Sequence, residues 1–135
     1  MLVARIGTAV GAIPVAHVVE TMRPLPIEPL PHAPPFVAGV AIVRGEPVPV
    51  IDGARLLGVP ADAPGRFVVV RAGERRAALA VDSVLDVRRV TAQELGELPA
   101  LGGVASRDVI ESIGVLDVGL MYVLQASRLV ERASP

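Results

Sequence analysis

The chain has no cysteine and no tryptophan, one tyrosine and two phenylalanines. Without cysteine there is no disulfide, no thiolate nucleophile and no thiolate metal site, which fits a reducing, cytoplasmic setting. Aromatic residues make up only 2%, so Val, Leu, Ala and Ile must fill the interior, and stacking on nucleobases has almost nothing to work with. A net charge of −1 offers no basic face for nucleic acid. No apolar run reaches the roughly 18 residues that span a bilayer as a helix, so no direct membrane insertion is expected. The opening stretch MLVARIGTAVGAIPVAHVV has Arg5 ahead of an apolar segment, as signal peptides do. Gly7, Gly11 and Pro14 interrupt it and no convincing cleavage site follows, so a β-hairpin fits better. What remains is a chain of 135 residues, 52% hydrophobic and 20% charged. That is enough for one domain, or two small lobes sharing a core, and too apolar for disorder.

The most informative stretch is Phe36 to Gly58, FVAGVAIVRGEPVPVIDGARLLG. Val37 to Val43 is a near-continuous, β-branched apolar run, the mark of a buried strand. Arg44-Gly45-Glu46 interrupts it, and Gly45 can take the positive φ of a tight hairpin turn. Val48 to Ile51 resumes the run. Asp52 offers a helix cap, Ala54 to Leu57 fits one helical turn, and Gly58 with Pro60 ends it. Pro47 and Pro49, two apart, remove donors from one side of the second strand. That strand is therefore expected at a sheet edge, its outer side blunted against unwanted pairing.

Along the chain, Val3 to Ile6 and Val10 to Val15 form a hairpin around Gly7-Thr8, and Val18 to Glu20 returns to strand after a bend. Met22 to Pro35 carries six prolines and reads as an extended surface connection. After the central hairpin, Pro60 to Gly65 is the best internal boundary. Strands follow at Arg66 to Val70, Arg76 to Val81 and Val84 to Val90. Thr91 and Glu94 have capping-box spacing over a short helical stretch to Leu98. Pro99 to Arg107 is a loop. Val109 to Leu116 and Leu120 to Leu124 flank a turn at Asp117-Gly119, and Ala126 to Arg132 is a terminal helix.

The halves look duplicated, with a first repeat of about 3–58 and a second of about 66–132. Gly7, Ile13, Val15, Val18 and Glu20 match Gly73, Leu79, Val81, Val84 and Asp86 at one offset (73 − 7 = 66). Val40, Val48, Val50, Ile51, Arg55 and Leu56 match Ile113, Met121, Val123, Leu124, Arg128 and Leu129 at another (128 − 55 = 73). Short strands with regular turns, used twice, predict an all-β fold of two similar small barrels packed on each other. Leu120 and Tyr122 stand where the first repeat has Pro47 and Pro49, so the two lobes should differ in what their edges accept.

Reactive groups are scarce. His17 and His32 are the only histidines, and neither belongs to a ligand-spaced cluster; His17 is expected to be half-buried and structural, His32 solvated. Asp52 is most simply a helix cap and Asp82 a bend residue, and Asp86 is the remaining carboxylate that invites an acid–base role. Gly102-Gly103 lacks the Lys and the setting of a phosphate loop, and no serine sits in a nucleophile elbow. Arg44, beside a turn glycine, is either a solvated turn residue or an interface anchor whose planar fork binds carbonyls or a carboxylate. Val18 and Val87 fit an ordinary core equally well.

The run PPFVAGVAIVRGEPVPVIDGARLLG resembles the central motif of the CheW-like domain, the coupling module of bacterial chemotaxis arrays, where "GVxNLRGxxxPVxDL" is expected. RFVVVRAGERRAALAVDSVLDVRRV resembles that family's "VVDxVxxV" strand pair, and IGVLDVGLMYVLQASRLV its closing hairpin and helix. The resemblance runs from about Val3 to Val130. It implies two five-stranded SH3-like barrels around a shared hydrophobic core, with short helices after the second hairpin and at the C-terminus. It also implies an adaptor with no catalysis and no cofactor, which bridges the regulatory domain of a CheA-type histidine kinase and the cytoplasmic tip of chemoreceptors. Carried over by position, the receptor-facing groove comprises Val18, Glu20, Gly39, Arg44 and Val87, with the kinase on barrel-end turns and strands. The family's Asn is Ile42 here, the Leu after its Asp is Gly53, a common aromatic is Gly11, and a glycine is Ser112; Arg44 is kept. Two other functions compete: a small β-barrel enzyme or ligand-binding module using Asp52, Asp82 or His17, and a detached regulatory domain of a kinase. A deep pocket holding two or more of those three groups would mark the enzyme or ligand-binding module.

Overall fold

The computed structural model describes residues 1–96, 107–116 and 119–133. Its strands are β1 (Leu2–Ile6), β2 (Ala9–Ile13), β3 (Val18–Met22), β4 (Val37–Val43), β5 (Glu46–Asp52), β6 (Arg66–Ala72), β7 (Arg75–Val81), β8 (Ser83–Val87), β9 (Leu95–Gly96), β10 (Ile110–Leu116) and β11 (Gly119–Leu124). Two short helices, α1 (Gly53–Leu57) and α2 (Ala126–Ala133), complete it. The strands form a five-stranded sheet, β3-β6-β7-β5-β4, and a six-stranded sheet, β8-β1-β2-β11-β10-β9. The sixth strand, against the expected five, is the two-residue β9. The loop from Pro99 and the turn residues Asp117 and Val118 lie outside the described residues, as do Leu98 and Gly102-Gly103.

Why the strands read as unbroken apolar runs becomes clear from where their two faces go. Phe67 and Val69 of β6 enter an interior belonging to the five-stranded sheet, together with Ala41, Val43, Val48, Val50, Ala78 and Ala80. Val68 and Val70, on the other face, enter a central core with Ile6, Ile13, Ile51, Leu79, Leu124 and Leu129. The six-stranded sheet has its own smaller interior of Val3, Val10, Ala12, Met121 and Val123. Two lobes thus share a centre, and strands buried on both faces cannot show a polar–apolar alternation.

Neither lobe is built from one half of the chain. β1 and β2 pair with β8 and β11, whereas β3, β4 and β5 join β6 and β7. Two parallel ladders tie the halves together: Met121, Tyr122 and Val123 beside Val10, Gly11 and Ala12, and Val50, Ile51 and Asp52 beside Ala78, Leu79 and Ala80. The correspondence extends to irregularities. Val19 and Leu85 are the unpaired residues of bulges in β3 and β8 (85 − 19 = 66). Ala38 and Glu111 are the unpaired residues in β4 and β10 (111 − 38 = 73). The turn glycines Gly7 and Gly73 have φ of 60° and 63°. Pro60 to Gly65 joins elements of the same lobe, so it is no boundary between lobes.

The expected edge position of β5 is corrected. β5 lies between β7 and β4, and β4 ends the sheet. Pairing with β7 covers only Val50 to Asp52, beyond both prolines. Pro47 and Pro49 oppose Ile42 and Val40, places where an antiparallel ladder asks for no donor. Their donor-free side faces the stretch where β5 and β7 diverge. In β11, without prolines, the parallel ladder begins at Met121, two residues nearer the turn than the equivalent of Val50.

Helix α1 is delimited as its sequence indicates. The Asp52 carboxylate accepts from the Arg55 N–H at 3.1 Å, and Gly58 ends the helix at φ 69°. Thr91 does not complete a capping box; its hydroxyl meets the Glu94 carboxylate at 3.1 Å above a single 3₁₀ turn, Ala92–Glu94. Phe67 is wholly buried, so Phe67→Ala should cost about 3–5 kcal/mol. Loss of the Asp52 cap in Asp52→Ala should cost about 1 kcal/mol. Urea unfolding followed by circular dichroism measures both, and equal costs would contradict this division of roles.

Candidate protein-binding site

The two-residue turn between β4 and β5 places Arg44 at φ 53° and Gly45 at φ 81°. Two successive left-handed residues match the right-handed twist of a hairpin. An arginine there is unusual, because its Cβ is crowded in that conformation. The turn aims the guanidinium across the mouth of the five-stranded lobe. Nη2 donates to Glu20 Oε1 at 2.7 Å and Nε to Glu20 Oε2 at 3.2 Å. Glu20 is on β3 and Arg44 follows β4, the two end strands of the sheet order. A flat sheet would keep three strands between them, so this bidentate pair shows that the sheet is rolled.

The mouth is ringed by charge. Strand alternation and register put Glu20 on the interior face with Met22, Glu46 with Val48, Arg71 with Val69 and Arg76 with Ala78. Arg71 and Arg76 stand directly opposite each other. The Arg44 hydrogen bonds hold the Glu20 carboxyl below its ordinary value; partial burial opposes them, and the charges of Arg44 and Arg76 add to the lowering. The Arg44 guanidinium is raised in turn by its bonds to Glu20. Its side chain stays 72% exposed, so donors not used by Glu20 face solvent.

The other expected groove residues are placed unevenly. Val18 is half-buried against the central core, on the same strand as Glu20. Gly39 is buried rather than displayed; a Cβ there would lie 2.1 Å from the Glu28 carbonyl oxygen. Val87 is 63% exposed but belongs to β8 of the other lobe, opposite Leu2. The structure therefore brings Glu20 and Arg44 into contact, turns Val18 toward the central core from the same strand as Glu20, turns Gly39 inward, and sets Val87 on the corresponding end strand of the second lobe. Two exposed aliphatics at matching hairpin places, Ile42 at 61% and Val115 at 77% (115 − 42 = 73), carry no mark in an unbroken apolar run.

The groups considered for chemistry hold backbone. Asp82 accepts from the Gly7 N–H at 2.9 Å, as Asp52 does from Arg55. Both line one solvent-open concavity of about 340 Å³, but His17 is elsewhere, exposed on a 3₁₀ turn rather than half-buried. His32 is exposed as well. Among the described residues no three metal-binding side chains cluster, and no helix is long and apolar enough to cross a membrane.

Two β-sheets with a shared core, whose carboxylates cap their own turns and one of which is rolled to display a fixed arginine, define a two-lobed β module. The chain belongs to the CheW-like domain family, whose model matches residues 1–134. It is 30% identical over 128 residues to the probable chemotaxis protein CheW of Rhizobium etli, covering 93% of this chain and 83% of that one. It is 31% identical over 136 residues to protein FrzA of Myxococcus xanthus, covering 96% and 83%. The crystal structure of scaffolding protein TtCheW from Thermoanaerobacter tengcongensis superimposes with a TM-score of 0.78 at 21% identity, covering 92% of this chain and 86% of that one. That likeness shows the fold.

Because the folded Glu20 carboxyl sits below its ordinary value of 4.5, it binds fewer protons than in the unfolded chain over that interval. Its contribution to stability is complete above the ordinary value and is lost as pH falls through the lowered one. The stability difference between wild type and Glu20→Gln should be constant at neutral pH and shrink below about 4.5, measured by urea unfolding across pH. A difference unchanged by acid would remove the ion pair from the account.

Proposed function

We propose that the chain is a non-catalytic cytoplasmic adaptor that couples chemoreceptors to a CheA-type histidine kinase. The observation that carries this is the Arg44 guanidinium, exposed at a barrel mouth and fixed at two points by Glu20. Family membership and relatives named for chemotaxis support it. A guanidinium already held in one orientation loses less freedom when a partner's carbonyl or carboxylate takes its remaining donors. The receptor-facing surface is centred on Arg44, Glu20 and Val18. Val87, on the corresponding strand of the second lobe, extends it, and Gly39 supports it from inside by allowing the connection from β3 to pass close to β4. The regulatory domain of the kinase, of similar fold, takes the barrel-end turns and strands.

An adaptor of this kind acts through geometry. Strands buried on both faces make a stiff body. Two partners held on separate faces of a stiff body keep a fixed mutual position, so a small movement of one biases the conformational equilibrium of the other.

Arg44→Glu places a carboxylate opposite Glu20 and removes the anchor. The fraction co-sedimenting with receptor-bearing membranes should fall roughly tenfold or more, as expected for loss of an arginine anchor, while the circular dichroism spectrum stays that of the wild type. Unchanged co-sedimentation would count against the receptor face.

A further inference from the structure

The rolled sheet of the five-stranded lobe has a seam, because β3 and β4 end the strand order without pairing. The connection between them, residues 23–36, runs along that seam. Glu28 exchanges two backbone bonds with Val40 of β4, each 2.8 Å. Leu25 and Ile27 pack against the lobe interior. Gly39 makes room, since a Cβ there would meet the Glu28 carbonyl oxygen at 2.1 Å. The connection is thus a strap that supplies side chains where the barrel lacks a ladder.

The strap does not zip further along β4. The next donating place after Glu28↔Val40 in an antiparallel ladder is Pro26 opposite Ile42, and proline has no N–H. The Ile42 backbone consequently points away from β5 and past the strap. Its side chain is largely exposed, in a groove shared with Pro26, Ile27, Pro29 and Val40. The second lobe repeats the device. There the connection after β8 pairs Gly96 with Ile113 of β10, the place that corresponds to Val40 (113 − 40 = 73), and Leu95 packs on that lobe's interior.

We infer that the strap is a removable shield of the β4 edge. Held in the ladder by one bridge and prevented by Pro26 from zipping on, it keeps an apolar edge from pairing with the β4 of a second copy. An edge strand of seven residues, six of them Val, Ile or Ala on either side of Gly39, is the kind that recruits another strand when uncovered. Two copies of β4 can pair antiparallel about a two-fold axis, a closed and self-complementary arrangement.

Glu28→Pro removes the donor to the Val40 carbonyl and leaves β4 itself untouched. Exchange of the Val40 amide, followed by NMR, should accelerate about tenfold, the effect of losing one bridge. Sedimentation should show more self-association than wild type at equal concentration. Accelerated Val40 exchange with wild-type sedimentation would overturn the shield, and so would a variant that fails to fold, which would make the strap a structural wall. Pro26→Thr tests the same idea in the opposite direction. It restores a donor that can bond the Ile42 carbonyl, so the new amide at position 26 should be protected from exchange and self-association should not exceed that of wild type. An unprotected amide at position 26 would overturn the ladder geometry on which the inference rests.

Discussion

Everything in this fold depends on two short parallel ladders, β11 beside β2 and β5 beside β7. Each joins a strand from one half of the chain to a strand from the other. Hairpins pair with themselves easily because the turn sets the register; parallel neighbours must be brought together by the rest of the structure. Here the shared core does this. Ile51 and Leu79 are register partners in one ladder and both sit in the central cluster, so the same side chains that fix the ladder also fix the lobes against each other. A half-chain could bury neither its lobe interior nor its contribution to the centre.

That constraint explains the placement of the charged residues. With both strand faces apolar, polar side chains are left to turns, end strands and barrel mouths. Asp52 and Asp82 are used on backbone N–H groups at bends, where an unpaired donor would be costly. Glu20 and Arg44 join the two ends of a rolled sheet that no ladder closes. A group that holds the mouth in shape and also displays donors to solvent serves structure and recognition together. A substitution there is accordingly read in two assays, one of folding and one of binding.

Much of this was legible in the sequence because it is local. The Arg44-Gly45 turn, the Asp52 cap, the Gly58 stop and the proline-rich connection each depend on a few adjacent residues with fixed conformational tastes. The paired offsets of 66 and 73 marked corresponding strands. What could not be read was which strands lie side by side. Pro47 and Pro49 do remove donors from one side of β5, as their spacing says, but a strand can diverge from its neighbour instead of lying at an edge. The true edge, β4, carries no proline, and its cover comes from Pro26 and Glu28 upstream. Likewise Gly39 looked like a surface residue within a binding motif, yet it is a point of close backbone approach, visible only once Glu28 is placed. Glu20 and Arg44 were both singled out, but their contact across 24 residues needed the curl of the sheet.

The exchange of strands between halves also orders events during synthesis. The strands of the five-stranded lobe, β3 to β7, are contiguous in sequence and are all available once residue 81 has left the ribosome. The hairpin of β1 and β2, made first, has no neighbour until β8 and then β11 emerge near the end of the chain. Made before the other strands, that hairpin is therefore among the last of them to be enclosed, and its apolar faces must wait beside a nearly finished lobe for the closing strand to arrive.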